Sequence, residues 1–343
     1  MTNLKTQISG RAGIITLDRP KALNALTHDM CLAITAALDE WREHPGVDLV
    51  ILEGAGERAF CAGGDIAEIY RQGLEGDFEP GRQFWRDEYV MNAALAEYPK
   101  PIISFMHGFV MGGGVGLAGH VRHRVVGESA QIAMPECGIG FVPDVGGTLL
   151  LARAPGRLGE HLGLTSTRMG PGDAIYAGFA DLHVPEADWP LLKERLAETG
   201  ETSALGEASA PTAPGPLAEA APLIDQIYAT RELPDILAAA KASDTPAGET
   251  AHKALSRNSA LSMAMTLKLI AAMRAPGTDI RSALRQEYRV AHRIAQQGDF
   301  LEGVRAQIID KDRNPQWQRN IDTLDPAEVD ALLAPLGEDE LAL

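Results

Sequence analysis

Two acids, Glu136 and Asp144, stand eight residues apart in MPECGIGFVPDVGG, a stretch with no other charge. The residues between them include Cys137, Ile139, Phe141 and Val142, which read as buried. An isolated carboxylate among such neighbours pays a large desolvation cost. Two carboxylates in one low-dielectric pocket split their pKa values, so one serves as base or nucleophile while the other keeps a proton. The competing reading is structural: Asp144 caps the helix after Pro143, and Glu136 is a solvated loop acid. The apolar surroundings favour chemistry.

Two glycine clusters supply the complementary half of a reaction centre. Gly112, Gly113 and Gly114 open a helical pattern, and Gly63 and Gly64 in FCAGGD precede another at Asp65. Glycine lets the backbone approach a ligand closely, and amides at a helix start lack partners within the helix. One N–H from each loop makes an oxyanion hole. By itself the FCAGGD loop is only a turn and a cap.

Gly114, Gly116 and Gly119 also satisfy G-x-G-x-x-G, with Glu136 further on, the spacing of a dinucleotide site. That fingerprint belongs to an early β-α-β unit, whereas more than 100 residues precede it here. Residues 120–135 also leave little room for a helix and a second strand. His120 and His123 share a helical face, but the adjacent Arg122 and Arg124 oppose a dication, so no metal site is expected. Cys61 and Cys137 lack a histidine partner and read as buried thiols. The sequence holds neither G-x-S-x-G nor G-x-x-x-x-G-K-[ST], which argues against serine-hydrolase and P-loop chemistry.

The whole-chain numbers narrow the classes further. With 343 residues the chain is long for one core, so a large domain plus an appendage is expected. A net charge of −16 argues against binding nucleic acid or an anionic membrane through a basic face. Three cysteines without C-x-x-C point to a reducing compartment. The start MTNLKTQISGRAG has no apolar or Arg-rich leader and no apolar run approaches 18 residues, so a cytoplasmic location is expected.

The elements that position these residues follow from periodicity. Residues 4–17 alternate around Gly10-Arg11 as a hairpin. Thr27 is placed to cap a helix whose face carries Met30, Leu32, Ile34, Ala37, Leu38 and Trp41, ending at His44-Pro45. Strands are predicted at 49–52, 101–106, 125–126 and 131–134, with 54–64 a glycine-rich loop. Helical patterns begin at Asp65, run through Phe84, Tyr89 and Leu95, and start again at Gly112. Beyond Gly147 helices dominate. The expected division is a core at 1–190 and a mainly helical region at 191–343, with 199–222 a loop or linker.

ITLDRPKALNAL, AFCAGGDI, GGGVGLA and MPECGIGFVPDVGG, in that order over residues 4–185, resemble the crotonase, or enoyl-CoA hydratase/isomerase, superfamily. The resemblance implies an α/β fold, a crotonase-like spiral of β-β-α turns with an α-helical C-terminal region. It also implies an acyl-CoA substrate whose carbonyl oxygen is held by the amides of Gly64 and Gly113. Coenzyme A is then part of the substrate and no separate cofactor is called for. Superfamily members often form trimers, so a homo-oligomer is a further implication, although the helical extension could cover that surface.

Hydratases of this superfamily carry a first glutamate two residues after the triple glycine, where this chain has Gly116. Only the second glutamate, Glu136, is present, and Asp144 stands in PDVGG where hydratases have an apolar segment. That exchange is similar to the 3-hydroxyisobutyryl-CoA hydrolase family, as are FWRDEYVMNAAL and EYRVAHRIAQQGDFLEGVRAQIIDKDRNPQW. The resemblance implies substrate contacts at Glu88, Gly113, Glu136 and Asp144, with catalysis by Glu136 and Asp144. Cys137, where threonine is common, and SALSMAMTLK depart from the family pattern and bear on acyl preference. Two other readings stand beside hydrolysis: an enoyl-CoA hydratase or isomerase, and a non-catalytic acyl-CoA-binding protein.

Overall fold

The computed structural model describes residues 3–343. Its contacts cluster into two units that interleave along the chain. The first comprises the residues up to Gly64, Val90–Ala133 and Arg168–Gly215; the second comprises Asp65–Tyr89, Met134–Thr167 and Pro216–Leu343.

Among its described residues the first unit holds nine strands: β1 (Leu4–Ser9), β2 (Ala12–Leu17), β3 (Leu49–Gly54), β4 (Ala59–Cys61), β5 (Ile102–Met106), β6 (Phe109–Met111), β7 (His123–Val126), β8 (Gln131–Ala133) and β9 (Leu182–His183). They form a six-stranded sheet in the order β1-β2-β3-β5-β7-β9 and a three-stranded sheet in the order β4-β6-β8. Among the described strands only β1 and β2 pair antiparallel, from Leu4 opposite Leu17 to Ser9 opposite Ala12; every other strand-to-strand ladder is parallel. The consecutive pairs β3/β4, β5/β6 and β7/β8 each give one strand to either sheet, which is the expected spiral of β-β-α turns. Parallel neighbours need a crossover, so the chain must climb one step with every turn.

Apolar strands buried on both faces explain the packing of the large sheet. Leu49, Ile51, Ile103, Phe105 and Val125 form one buried cluster with Trp189, Leu192 and Leu196 of the helix Trp189–Thr199. Phe105 and Trp189 meet edge to face at 5.2 Å, and the indole N–H donates to the Val184 carbonyl at 2.9 Å. Full burial of each such side chain contributes roughly 1.5–3 kcal/mol.

Packing of this kind corrects the expected division at residue 190. The helix Trp189–Thr199 stays with the sheet because its apolar face packs on it, and the first unit extends to Gly215. The 199–222 segment is not a simple linker either. It contains the helix Ser203–Ala208 and the start of the helix Pro216–Ile227, both rich in alanine and leucine.

In the second unit the helix Ala260–Met273 is buried on almost every side. It packs on Gly147–Arg153 and Leu158–Thr165, which is why the C-terminal helices cluster with residues 134–167. Ser259 caps it, accepting from Ser262 N–H at 3.1 Å while donating to Asp299 at 2.6 Å. The amphipathic helix Ile280–Gln297 lies against it and presents Glu287 and Tyr288 inward.

Candidate active site

In the first unit, Gly64 and Gly113 follow two adjacent parallel strands of the small sheet. Gly64 lies three residues past the end of β4 and Gly113 two past the end of β6. Gly112 has φ 48° and ψ −115°, a conformation open in practice only to glycine, and it turns the chain into the helix Gly113–Ala118. A Cβ on Gly114 would sit 2.3 Å from the carbonyl oxygen of Cys61, so the two loops touch backbone to backbone. The first helical residue has no carbonyl four residues back within its helix, so the Gly113 amide makes no bond inside it.

The RPKALNAL segment braces the other side of this loop pair. Asn24, buried and with φ 54°, donates to the carbonyls of Ala55 at 2.9 Å and Ala59 at 2.8 Å. Ala62 N–H bonds Leu23 at 3.0 Å and Leu26 N–H bonds Gly63 at 2.9 Å. These four bonds fix the approach to Gly64 from both directions, which is a physical reason for that motif's polar residue amid apolar ones.

The second unit brings together the acids. Glu88, Glu136 and Asp144 are buried, at 2, 4 and 5% exposure. Glu136 begins the short 3-10 turn Glu136–Ile139, and Phe141 returns its N–H to the Glu136 carbonyl at 3.0 Å. Phe141 stacks on Trp85 at 5.3 Å and lies 5.6 Å from Phe300, which pins the loop between the two acids. Trp85, Glu88 and Tyr89 lie at helical i, i+3 and i+4 on the helix Glu79–Ala96, so one face supplies all three.

Asp144 does not cap the following helix. Gly146 occupies the cap position of Gly147–Arg153 with no side-chain bond, and the Asp144 carboxylate instead accepts the Tyr89 hydroxyl at 2.7 Å. Behind it, Glu287 is fully buried and accepts the N–H groups of Gly146 at 2.7 Å and Thr148 at 3.0 Å, together with the Thr148 hydroxyl.

The electrostatics follow from that crowding. Burial first, and the Asp144 charge second, hold the Glu88 and Glu136 carboxyls well above the usual carboxylate range. Burial also pushes Asp144 up to about 8, against the Tyr89 hydrogen bond that pulls it down. Glu287 is raised by burial to about 7, although its three donors favour the charged form. Such a cluster shares protons near neutral pH, so one carboxyl can serve as base or nucleophile while a neighbour keeps its proton. One oxygen of Glu88 and one of Glu136 are buried without a hydrogen-bond partner. Unpaired buried acceptors are costly unless a ligand completes them.

The three predicted acids are therefore neighbours in one unit, and the two predicted amides are neighbours in the other. Tyr89, Thr148 and Glu287 escaped the sequence reading. Tyr89 adjoins Glu88 in a helical pattern, a signal that was available. Glu287 lies 141 residues from the amide it binds, and no local pattern connects them. Cys61 and Cys137 are buried as expected, Cys31 is buried too, none of the three is in a disulfide, and burial pushes the Cys137 thiol up to about 12.

Residues 12–333 match the family described as Enoyl-CoA hydratase/isomerase. The 3-hydroxyisobutyryl-CoA hydrolase, mitochondrial, of Xenopus tropicalis is 35% identical, over 98% of this chain and 89% of that protein. Among solved structures, an enoyl-CoA hydratase from Rhodobacter sphaeroides 2.4.1 superposes with a TM-score of 0.94 at 52% identity, covering 100% of both chains. A carnitinyl-CoA dehydratase from Mycobacterium thermoresistibile gives 0.95 at 40% identity, covering 100% of this chain and 99% of the other.

Proposed function

The chain belongs to the enoyl-CoA hydratase/isomerase family, and from that premise we propose that it hydrolyses a short 3-hydroxyacyl-CoA thioester. The substrate assigned is 3-hydroxyisobutyryl-CoA, cleaved to 3-hydroxyisobutyrate and CoA in valine breakdown. One observation carries the reading: Asp144 is a buried carboxylate bonded by Tyr89 and electrostatically coupled to Glu136. The full-length similarity to the frog hydrolase supports it.

In this mechanism the amides of Gly64 and Gly113 polarise the thioester carbonyl and stabilise the tetrahedral oxyanion. One such donor is typically worth about 3 kcal/mol in the transition state. Glu136 attacks the carbonyl to give a mixed anhydride and expel the CoA thiolate, or it activates a water that attacks in its place. Asp144 orients the attacking group or passes a proton to the departing thiolate. Glu88 takes the 3-hydroxyl of the substrate, using its unpaired buried oxygen as acceptor. No side chain beyond these is needed to balance the reaction: water is consumed, and acid and thiol are released.

Hydration of an enoyl-CoA is the second reading, and the names of the two solved structures favour it. Against it stands Gly116, which offers no carboxylate where syn addition of water needs a second one. Thiol release measured across a panel of acyl-CoAs, beside loss of enoyl absorbance on crotonyl-CoA, separates the readings. Release of CoA from 3-hydroxyisobutyryl-CoA without crotonyl-CoA turnover is expected. The opposite result overturns hydrolysis, and Glu136→Gln or Asp144→Asn variants as fast as the parent would remove those residues from the site. Label from ¹⁸O-water found in Glu136 after a single turnover identifies the anhydride path. A cytoplasmic location and self-association remain part of the proposal; three buried cysteines without a disulfide suit the former, and sedimentation equilibrium tests the latter.

A further inference from the structure

We infer that Glu287 is a positioning residue for this reaction, clamping the turn Asp144–Gly147 so that the Asp144 side chain points where catalysis needs it. The inference rests on the proposed hydrolysis. Asp144 O accepts Gly147 N–H at 2.6 Å, closing a turn whose central residues, Val145 and Gly146, have φ of 53° and 81°. Positive φ at both central positions is the backbone of a type I′ turn, which favours Asn, Asp and Gly. Valine is β-branched and a genuine outlier there, and such a residue persists only where its surroundings over-determine it.

Glu287 supplies that determination. Its carboxylate reaches from the helix Ile280–Gln297 to the Gly146 amide at 2.7 Å and to the Thr148 amide at 3.0 Å and hydroxyl. All three donors flank or lie within the strained turn, and the acceptor is fully buried, so water cannot substitute for it. Asp144 is thus constrained twice: Tyr89 holds its carboxylate, and Glu287 holds the backbone that carries it. The hydrogen bonds of Glu287 go to Gly146 and Thr148, not to the carboxylates assigned to the substrate.

Glu287→Gln preserves shape but turns an NH₂ group toward either the Gly146 or the Thr148 amide, donor against donor. The expected result for the full chain is a kcat about 10- to 100-fold lower with KM within about twofold of the parent, since misplacement costs rate more than ground-state binding. The double variant Glu287→Gln/Val145→Gly separates positioning from stability. Glycine accepts the positive φ without the clamp, so kcat recovers severalfold over the single variant even though loss of the buried valine lowers the melting temperature further. A Glu287→Gln enzyme with parental kcat, or a double variant whose kcat falls with its melting temperature, overturns the inference.

If Glu287→Gln does not fold, Thr148→Val removes one donor and leaves the carboxylate in place. A fall in kcat of about three- to tenfold is then expected, and none overturns the inference. Should the parent release no CoA, the proposed hydrolysis fails by itself. The crystal structure of Glu287→Gln, or of Thr148→Val if that is the variant that folds, decides the positioning role independently. The loop is expected to relax and to part Asp144 from the Tyr89 hydroxyl, and an unchanged loop overturns the inference.

Discussion

The hydroxyl of Tyr89 donates a 2.7 Å hydrogen bond to Oδ2 of Asp144, joining the helix Glu79–Ala96 to the turn after Pro143 in one buried contact. Both groups are removed from water, so the bond does more than an exposed pair would. It favours the charged form of Asp144 in surroundings that otherwise disfavour it.

Tyr89→Phe deletes that donor and nothing else. A hydrogen bond to a charged group contributes about 1.5–3 kcal/mol, so CoA release should slow by roughly 10- to 100-fold. The Asp144 carboxyl should titrate at higher pH than in the parent, because the bond that lowered it is gone. A pH–rate profile of the variant checks both; an unmoved limb would detach Tyr89 from Asp144 chemistry.

Gly114→Ala forces a Cβ to within 2.3 Å of the Cys61 carbonyl, and that contact is backbone, so one loop must move. The Gly113 amide moves with it. Loss of one oxyanion donor corresponds to a kcat about 100-fold lower. Circular dichroism beside a CoA-release assay distinguishes a displaced amide from an unfolded chain, and a variant of normal rate would exclude the amide.

Thiol reagents should leave the folded protein unlabelled. All three cysteines are buried, and the Cys137 thiol, raised to about 12 by burial, supplies almost no thiolate near neutral pH. Labelling with Ellman's reagent should therefore wait on denaturation, which also frees the CoA assay of background. Rapid labelling of the native protein contradicts the burial of this site.

Stability should depend on pH through the raised acids. The Glu287 carboxyl rises from 4.5 unfolded to about 7 folded, so its protonated form is favoured by folding. Its contribution is fully present below about 4.5 and is lost as pH rises to about 7, an effect on the order of 3 kcal/mol. Urea unfolding of the parent and of Glu287→Gln at several pH values across that window should show a steeper decline in the parent. Equal slopes would mean that Glu287 carries no such shift.

The first β-hairpin, the Thr27-capped helix His28–Arg42 and the strands near 49, 102 and 125 were legible because alternation, caps and prolines act locally. β4 and β6 were not. Each has three residues, too few for a period of two; Gly108 and Gly112 bound β6, and 54–64 read as a loop. Yet these strands carry Gly64 and Gly113, so the loops were recognised while the frame beneath them was missed.

The sequence by itself determined the chemical types, two acids in an apolar loop and two glycine junctions, and the resemblance to hydratases added Gly116 where they carry their first glutamate. These are properties of residue identity and short spacing, which the linear chain states directly. Only the tertiary structure decided that Asp144 faces Tyr89 rather than a helix end, and that Glu287 grips the turn beyond it. Those contacts join segments 55 and 141 residues apart, and burial, which sets the charge of every acid involved, is a property of the packed chain alone.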